Sequence, residues 1–179
     1  EGQLASVRDA CETEDGRIAL LADLDGEGAG NRLFLLTREG ELHHQQSLDM
    51  DHGVLCAIGD GIAAAGRCIL EDSEHRLMLV QMFFEDDRTR ETTFRYEARR
   101  GIALMEKDGV LWLMAEVKGE EGNSEIVTLD IVDREQMSIG NRQVWSRDGK
   151  DLAGLGAVPY GDTAAFIGLA IAGEGNSKE

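Results

Sequence analysis

One phrase returns along the chain at intervals of about 45 to 50 residues, and an internal period of that length constrains the fold more than any local propensity. It reads Asp15-Gly16-Arg17-Ile18-Ala19-Leu20-Leu21-Ala22, then Asp60-Gly61-Ile62-Ala63-Ala64-Ala65-Gly66, then Asp108-Gly109-Val110-Leu111-Trp112-Leu113-Met114-Ala115. A weaker fourth copy is Gly161-Asp162-Thr163-Ala164-Ala165-Phe166-Ile167-Gly168. Asp-Gly suits a tight hairpin because glycine accepts positive φ and aspartate tolerates the left-handed region. The run after it is apolar on both faces, so a strand there must be covered on both sides.

The segments downstream of each phrase repeat as well. A Gly- or acid-rich loop comes next, echoed as Gly26-Glu27-Gly28-Ala29-Gly30-Asn31, Gly119-Glu120-Glu121-Gly122-Asn123 and Gly173-Glu174-Gly175-Asn176. Second apolar strands are predicted at 33–36, 77–82 and 126–132, and polar, alternating ones at 41–47 and 91–96, the pattern of a strand with one face in water. The sequence therefore predicts an all-β, β-propeller-like chain of about four blades, divided at roughly 1–38, 39–85, 86–133 and 134–179. The strand count comes to about three and a half four-stranded blades. The repeats either close as a small, irregular ring or form part of a larger one completed by another segment or subunit.

Composition agrees with that class. The 179 residues are 42% apolar and 5% aromatic with 22 glycines, which suits one domain of short strands and many turns. The net charge of −17 excludes a nucleic-acid surface, which needs a basic stripe to release counterions. The local basic group Arg95, Arg99 and Arg100 is hemmed in by Glu97 and Glu106. Three cysteines, Cys11, Cys56 and Cys68, cannot all pair within one chain. With the hairpin centred on Asp60-Gly61, Cys56 faces about position 65 and Cys68 about position 53, so buried free thiols are expected. No apolar stretch reaches the roughly 18 residues of a membrane span.

The unit from Asp15 through Leu36 to Gly40-Glu41-Leu42 and Gln45-Gln46 resembles the delta-sixty-type propeller repeats of bacterial secreted and surface proteins. That resemblance implies an interaction scaffold that binds a protein or glycan partner, and it leans toward a secreted or periplasmic compartment. The segment Trp145-Ser146-Arg147-Asp148-Gly149-Lys150-Asp151-Leu152-Ala153 is similar to a blade start in WD-type propellers. Asp23-Leu24-Asp25-Gly26-Glu27-Gly28-Ala29-Gly30-Asn31 is similar to the calcium loop of FG-GAP repeats. By that likeness Asp23, Asp25, Glu27 and Asn31 supply side-chain oxygens and Ala29 a carbonyl to Ca²⁺, which takes about six to eight oxygens.

Other constellations are weaker. His43, His44, His52 and His75 are the four histidines, and neighbours on a regular strand point to opposite faces, so His43 and His44 are not expected to share a metal. The acidic run Glu85-Asp86-Asp87 raises the alternative of a glycan-active hydrolase with carboxylates at a propeller funnel. Trp112 lies in an apolar run and is expected in the core, whereas Trp145 stands among polar residues and is the candidate for a binding surface. The leading expectation is a non-enzymatic module that presents loops on a rigid scaffold. A calcium-stabilised adhesion module is a further alternative.

Overall fold

The computed structural model describes residues 3–25, 30–70, 74–85, 88–133, 138–146, 151–160 and 163–171, and within them every regular element is a strand. These are β1 (Gln3–Glu12), β2 (Ile18–Asp25), β3 (Gly30–Leu36), β4 (Leu42–Leu48), β5 (Asp51–Ile58), β6 (Gly61–Ile69), β7 (His75–Phe83), β8 (Arg88–Lys107), β9 (Val110–Lys118), β10 (Ser124–Asp133), β11 (Ser138–Trp145), β12 (Asp151–Tyr160) and β13 (Thr163–Ile171). The first four form one sheet, β5 to β11 form a seven-stranded sheet, and β12 pairs with β13. All pairings join chain neighbours in antiparallel order.

Turn chemistry explains much of this order. The links β1–β2, β3–β4 and β9–β10 use one geometry: Gly16 N–H, Gly40 N–H and Gly122 N–H each donate to the carbonyl three residues earlier. Each of those glycines has φ between 82° and 86°, and the residue opening each turn donates to the carbonyl four residues on. This is a type I turn closed by a left-handed glycine. The β8–β9 turn is tighter, with Asp108 and Gly109 both at positive φ, the I′ hairpin that Asp-Gly favours.

The seven-stranded sheet folds back on itself through β8. Its 20 residues pair with β7 as far as Glu97 and with β9 from Ala98 onward. One hydrophobic cluster consequently joins Cys56, Ala63, Ala65, Leu77 and Leu79 to Leu111, Leu113, Ala115, Val127 and Leu129. The alternate residues of the same strands, Ile62, Ala64, Cys68, Met78 and Val80, pack instead with Ala19, Leu21, Leu33, Leu35 and Leu48 of the first sheet. Strands β6 and β7 are thus covered on both faces, as the apolar run predicts. The small residues allow the close approach: a Cβ on Gly101 in β8 would lie 2.6 Å from the Ala65 carbonyl oxygen. The hairpin β12–β13 covers the far side, where Gly154 lies against Ile102 and Met114.

The all-β class stands. Among the described residues the strands close into no barrel or ring, so the architecture is one of stacked antiparallel sheets. The β5–β6 turn is centred on Gly59-Asp60 rather than Asp60-Gly61, because Ile58 pairs with Gly61. Cys56 therefore faces Ala63, Cys68 faces Arg76 on the neighbouring strand β7, and none of the three cysteines is in a disulfide. Among the described residues no helix is long and apolar enough to cross a membrane.

Candidate functional site

The first sheet and the seven-stranded sheet are bolted together at one end and part at the other. At the bolted end, β5 is an edge strand whose amides would otherwise be unpaired. Leu55 N–H donates to Asp9 Oδ2 at 2.8 Å, and Gly53 N–H donates to Asn31 Oδ1 at 3.1 Å. Asn31 is buried, its own backbone N–H donates to the Met50 carbonyl, and its Nδ2 donates to Asp23 Oδ1 at 2.6 Å. An irregularity between Asp51 and Val54, with His52 at φ 48°, aims Gly53 at Asn31.

Away from that junction a cleft of about 360 Å³ opens between β3–β4 and the strands from β6 to β8. Its floor is apolar, formed by Leu33, Leu35, Ile62 and Met82. Its rim carries Arg17, Arg88, His43, His44, Gln46 and Thr89. His44 and Gln46 pair with Leu35 and Leu33, so they share the face that looks at the second sheet. His43 borders the cleft as well, because the register shifts between Leu35 and Leu36 and strict alternation is lost there.

Two cation–π contacts shape the mouth. The Arg17 guanidinium lies 4.0 Å from the centroid of Phe84, and that of Arg88 lies 4.8 Å from the centroid of Phe83. Arg17 is further fixed by Asp15, whose Oδ2 accepts from Nε at 2.8 Å and also meets Nη2. That guanidinium, seconded by the Thr13 hydroxyl at 2.6 Å, holds the Asp15 carboxyl well below the usual carboxylate range. On the other side of the Arg17–Phe84 stack lies a more open depression bordered by Glu14, Asp15, Asp60 and Glu85.

The residues singled out in the sequence are distributed differently. Asp23 and Asn31 come together, but their polar atoms are engaged: Asn31 holds Gly53, while Arg8 and Ser6 approach Asp23 Oδ2. A cation bound to Asp23 would have to displace the Arg8 guanidinium. Glu27 and Ala29 lie outside the described residues, as does the side chain of Asp25. Residues 86–87 of the acidic run and 147–150 of the WD-like segment also lie outside them. Trp145 ends β11 and is 52% exposed on the edge of the seven-stranded sheet, whereas Trp112 is buried. Among the described residues no group of three or more histidine, cysteine, aspartate or glutamate side chains converges as a metal site.

The cleft itself was not visible in the sequence. Its two arginines come from a turn before β2 and from the start of β8, and its histidines from β4; no short spacing links them. The adjacent pair Phe83-Phe84 after an apolar strand is the signal nearest to it. No protein-family model matches the chain, and no curated protein matches it in sequence.

Proposed function

We propose that the chain is a β-propeller-type interaction module whose binding site is the cleft between its first two sheets. The blade reading is supported by the layering. Residues 3–48 supply four strands, residues 51–97 four, and residues 98–145 four, each set packing face to face with the next. The β12–β13 hairpin stands as the start of a fourth. Sheets that splay outward from a shared inner edge leave V-shaped clefts between their outer strands, which is where this one lies.

The observation that carries the functional reading is the lining of that cleft. It combines an apolar floor with arginine, histidine, glutamine and threonine at the rim, the usual make-up of a recognition site. No aspartate or glutamate is among its described lining residues, and two-carboxylate hydrolysis of a glycan needs a pair of them. In the neighbouring depression Asp15 is held in its charged form, the reverse of what a general acid requires. Binding, rather than turnover, is therefore the better account.

The test is a pair of peptide and glycan arrays probed with the intact chain and with Thr89→Trp, which fills the mouth of the cleft from an exposed position. Binding that the substitution weakens at least about tenfold supports the reading. Binding left unchanged by it, or cleavage of an arrayed glycan, overturns it.

A further inference from the structure

Each of the three four-stranded layers ends in a strand with one open edge among the described residues: β4, residues 88–97 of β8, and β11. They are protected unequally. In β8 the charged side chains of Arg88, Arg90, Glu91, Arg95 and Glu97 stand along the edge, the usual guard against pairing with another chain. In β4 Leu42, at its start, is the one exposed large apolar side chain. β11 has neither protection: all eight of its residues are exposed, Ile139, Val144 and Trp145 among them, and Arg142 is its one charged residue.

Register defines what this edge offers. From Asn141 to Trp145 the pairing with β10 is unbroken, running from Asp130 opposite Asn141 to Ile126 opposite Trp145. Arg142 and Val144 therefore lie on the face of Leu129 and Val127, while Gln143 and Trp145 lie on the face of Thr128 and Ile126. Among the described residues the Arg142 guanidinium has no hydrogen bond or ion pair, whereas Arg8, Arg17, Arg67, Arg76 and Arg100 each meet a carboxylate. An unneutralised cation thus stands beside an exposed valine, two positions along one face, on an edge whose backbone can still pair.

Charge decides between occupants. β11 contains no aspartate or glutamate, so no register of self-pairing sets a carboxylate opposite Arg142, and two copies would each bring a net charge of −17. A foreign strand can supply what a second copy lacks. Antiparallel addition continues the order of every other pair in the molecule and is the more stable of the two directions.

We infer that β11 takes an extended segment of a partner protein as an added antiparallel strand, in which two adjacent apolar residues meet Trp145 and Val144 and a carboxylate two positions further on meets Arg142. Main-chain hydrogen bonds supply the attachment, and the side chains on the two faces supply the selection. The surface is separate from the cleft, which β11 does not line, so the two readings stand or fall independently.

The experiment titrates the ¹⁵N-labelled intact chain with three synthetic peptides and follows amide shifts. The probes are Thr-Val-Val-Thr-Glu-Thr, its counterpart with Lys in place of Glu, and its counterpart with Thr in place of both Val. The first is expected to shift the amides of residues 141–145 and to bind about fivefold more tightly than either counterpart. Arg142→Glu, at an exposed position, is expected to turn the preference toward the Lys peptide, and Thr89→Trp in the cleft to leave it unchanged. Equal binding of the Glu and Lys peptides, a preference that survives Arg142→Glu, shifts confined to other strands, or no binding by any probe overturns the inference. A dimeric native mass that Val144→Lys converts to monomer assigns the edge to a second copy and overturns it as well.

Discussion

The seven-stranded sheet has two edges, and they are treated in opposite ways. At β5 the first sheet reaches over and closes the edge: Asp9 and Asn31 accept from the Leu55 and Gly53 amides, so the edge is buried in a junction between sheets. At β11 every residue is exposed, including Ile139, Val144 and Trp145. Both edges carry large apolar side chains, but Leu55 and Ile58 of β5 are buried whereas those of β11 meet water. Among the described residues, what separates them is whether another element supplies acceptors and a face to pack on. Edge strands left open are templates for pairing with other chains.

The sharpest way to break this contrast is to remove the acceptor that closes β5. Asn31→Ala leaves the Gly53 amide and the Asp23 carboxylate without their buried partner, and we expect a loss of about 3 kcal/mol in urea unfolding. Gly53→Ala attacks the same junction sterically. Its Cβ would lie 2.8 Å from both Asn31 Oδ1 and Leu21 Cδ2, and we expect a loss of about 2 kcal/mol in the same assay.

Asp9 sharpens the comparison because its charge and its acceptor role are separable. Asp9→Ala leaves the Leu55 amide unpaired and is expected to cost about 1 kcal/mol, while Asp9→Asn keeps an acceptor and costs less. Asp9 also acts on Cys11, whose thiol is pushed up to about 11, first by burial and then by this carboxylate. A thiol raised in the folded state keeps its proton where the unfolded chain has lost it, so stability falls as pH rises from the ordinary thiol value toward about 11. Asp9→Asn should narrow that alkaline window and speed alkylation of Cys11 at pH 9, measured by mass spectrometry.

A smaller effect is expected at the Asp15 turn beside the cleft. Its carboxyl is depressed by Arg17 and then by Thr13, so its stabilisation is present above the ordinary aspartate pKa of about 3.9 and fades as pH falls through the lower folded value. The melting-temperature gap between the parent and Asp15→Asn should be constant near neutrality and shrink in acid. The smallest effect belongs to the open edge. Val144→Ser in β11 should change unfolding free energy by no more than about 0.5 kcal/mol, because the side chain already meets water.

How far the sequence led depended on whether a feature was local. The alanine run 63–65 forces a strand covered on both faces, and glycines at 16, 40, 109 and 122 mark turns that only positive φ allows. The passage of β8 from one half of its sheet to the next was hidden, since Glu97-Ala98 carries no turn residue and the strand does not stop. The irregularity that brings His43 and His44 to one cleft was hidden too, because alternation assumes an unbroken register. Asn31 read as a loop oxygen for a cation; its partner Gly53 lies 22 residues away and only the assembled junction reveals it.

The closure of β5 by the first sheet is tested most directly by residue-resolved amide hydrogen exchange on the intact chain. The Gly53 and Leu55 amides are predicted to exchange as slowly as those of Ala64 and Leu113 in the covered strands, and both to speed up in Asn31→Ala. Exchange of Gly53 and Leu55 in the parent chain at the rate of an open edge would contradict that closure.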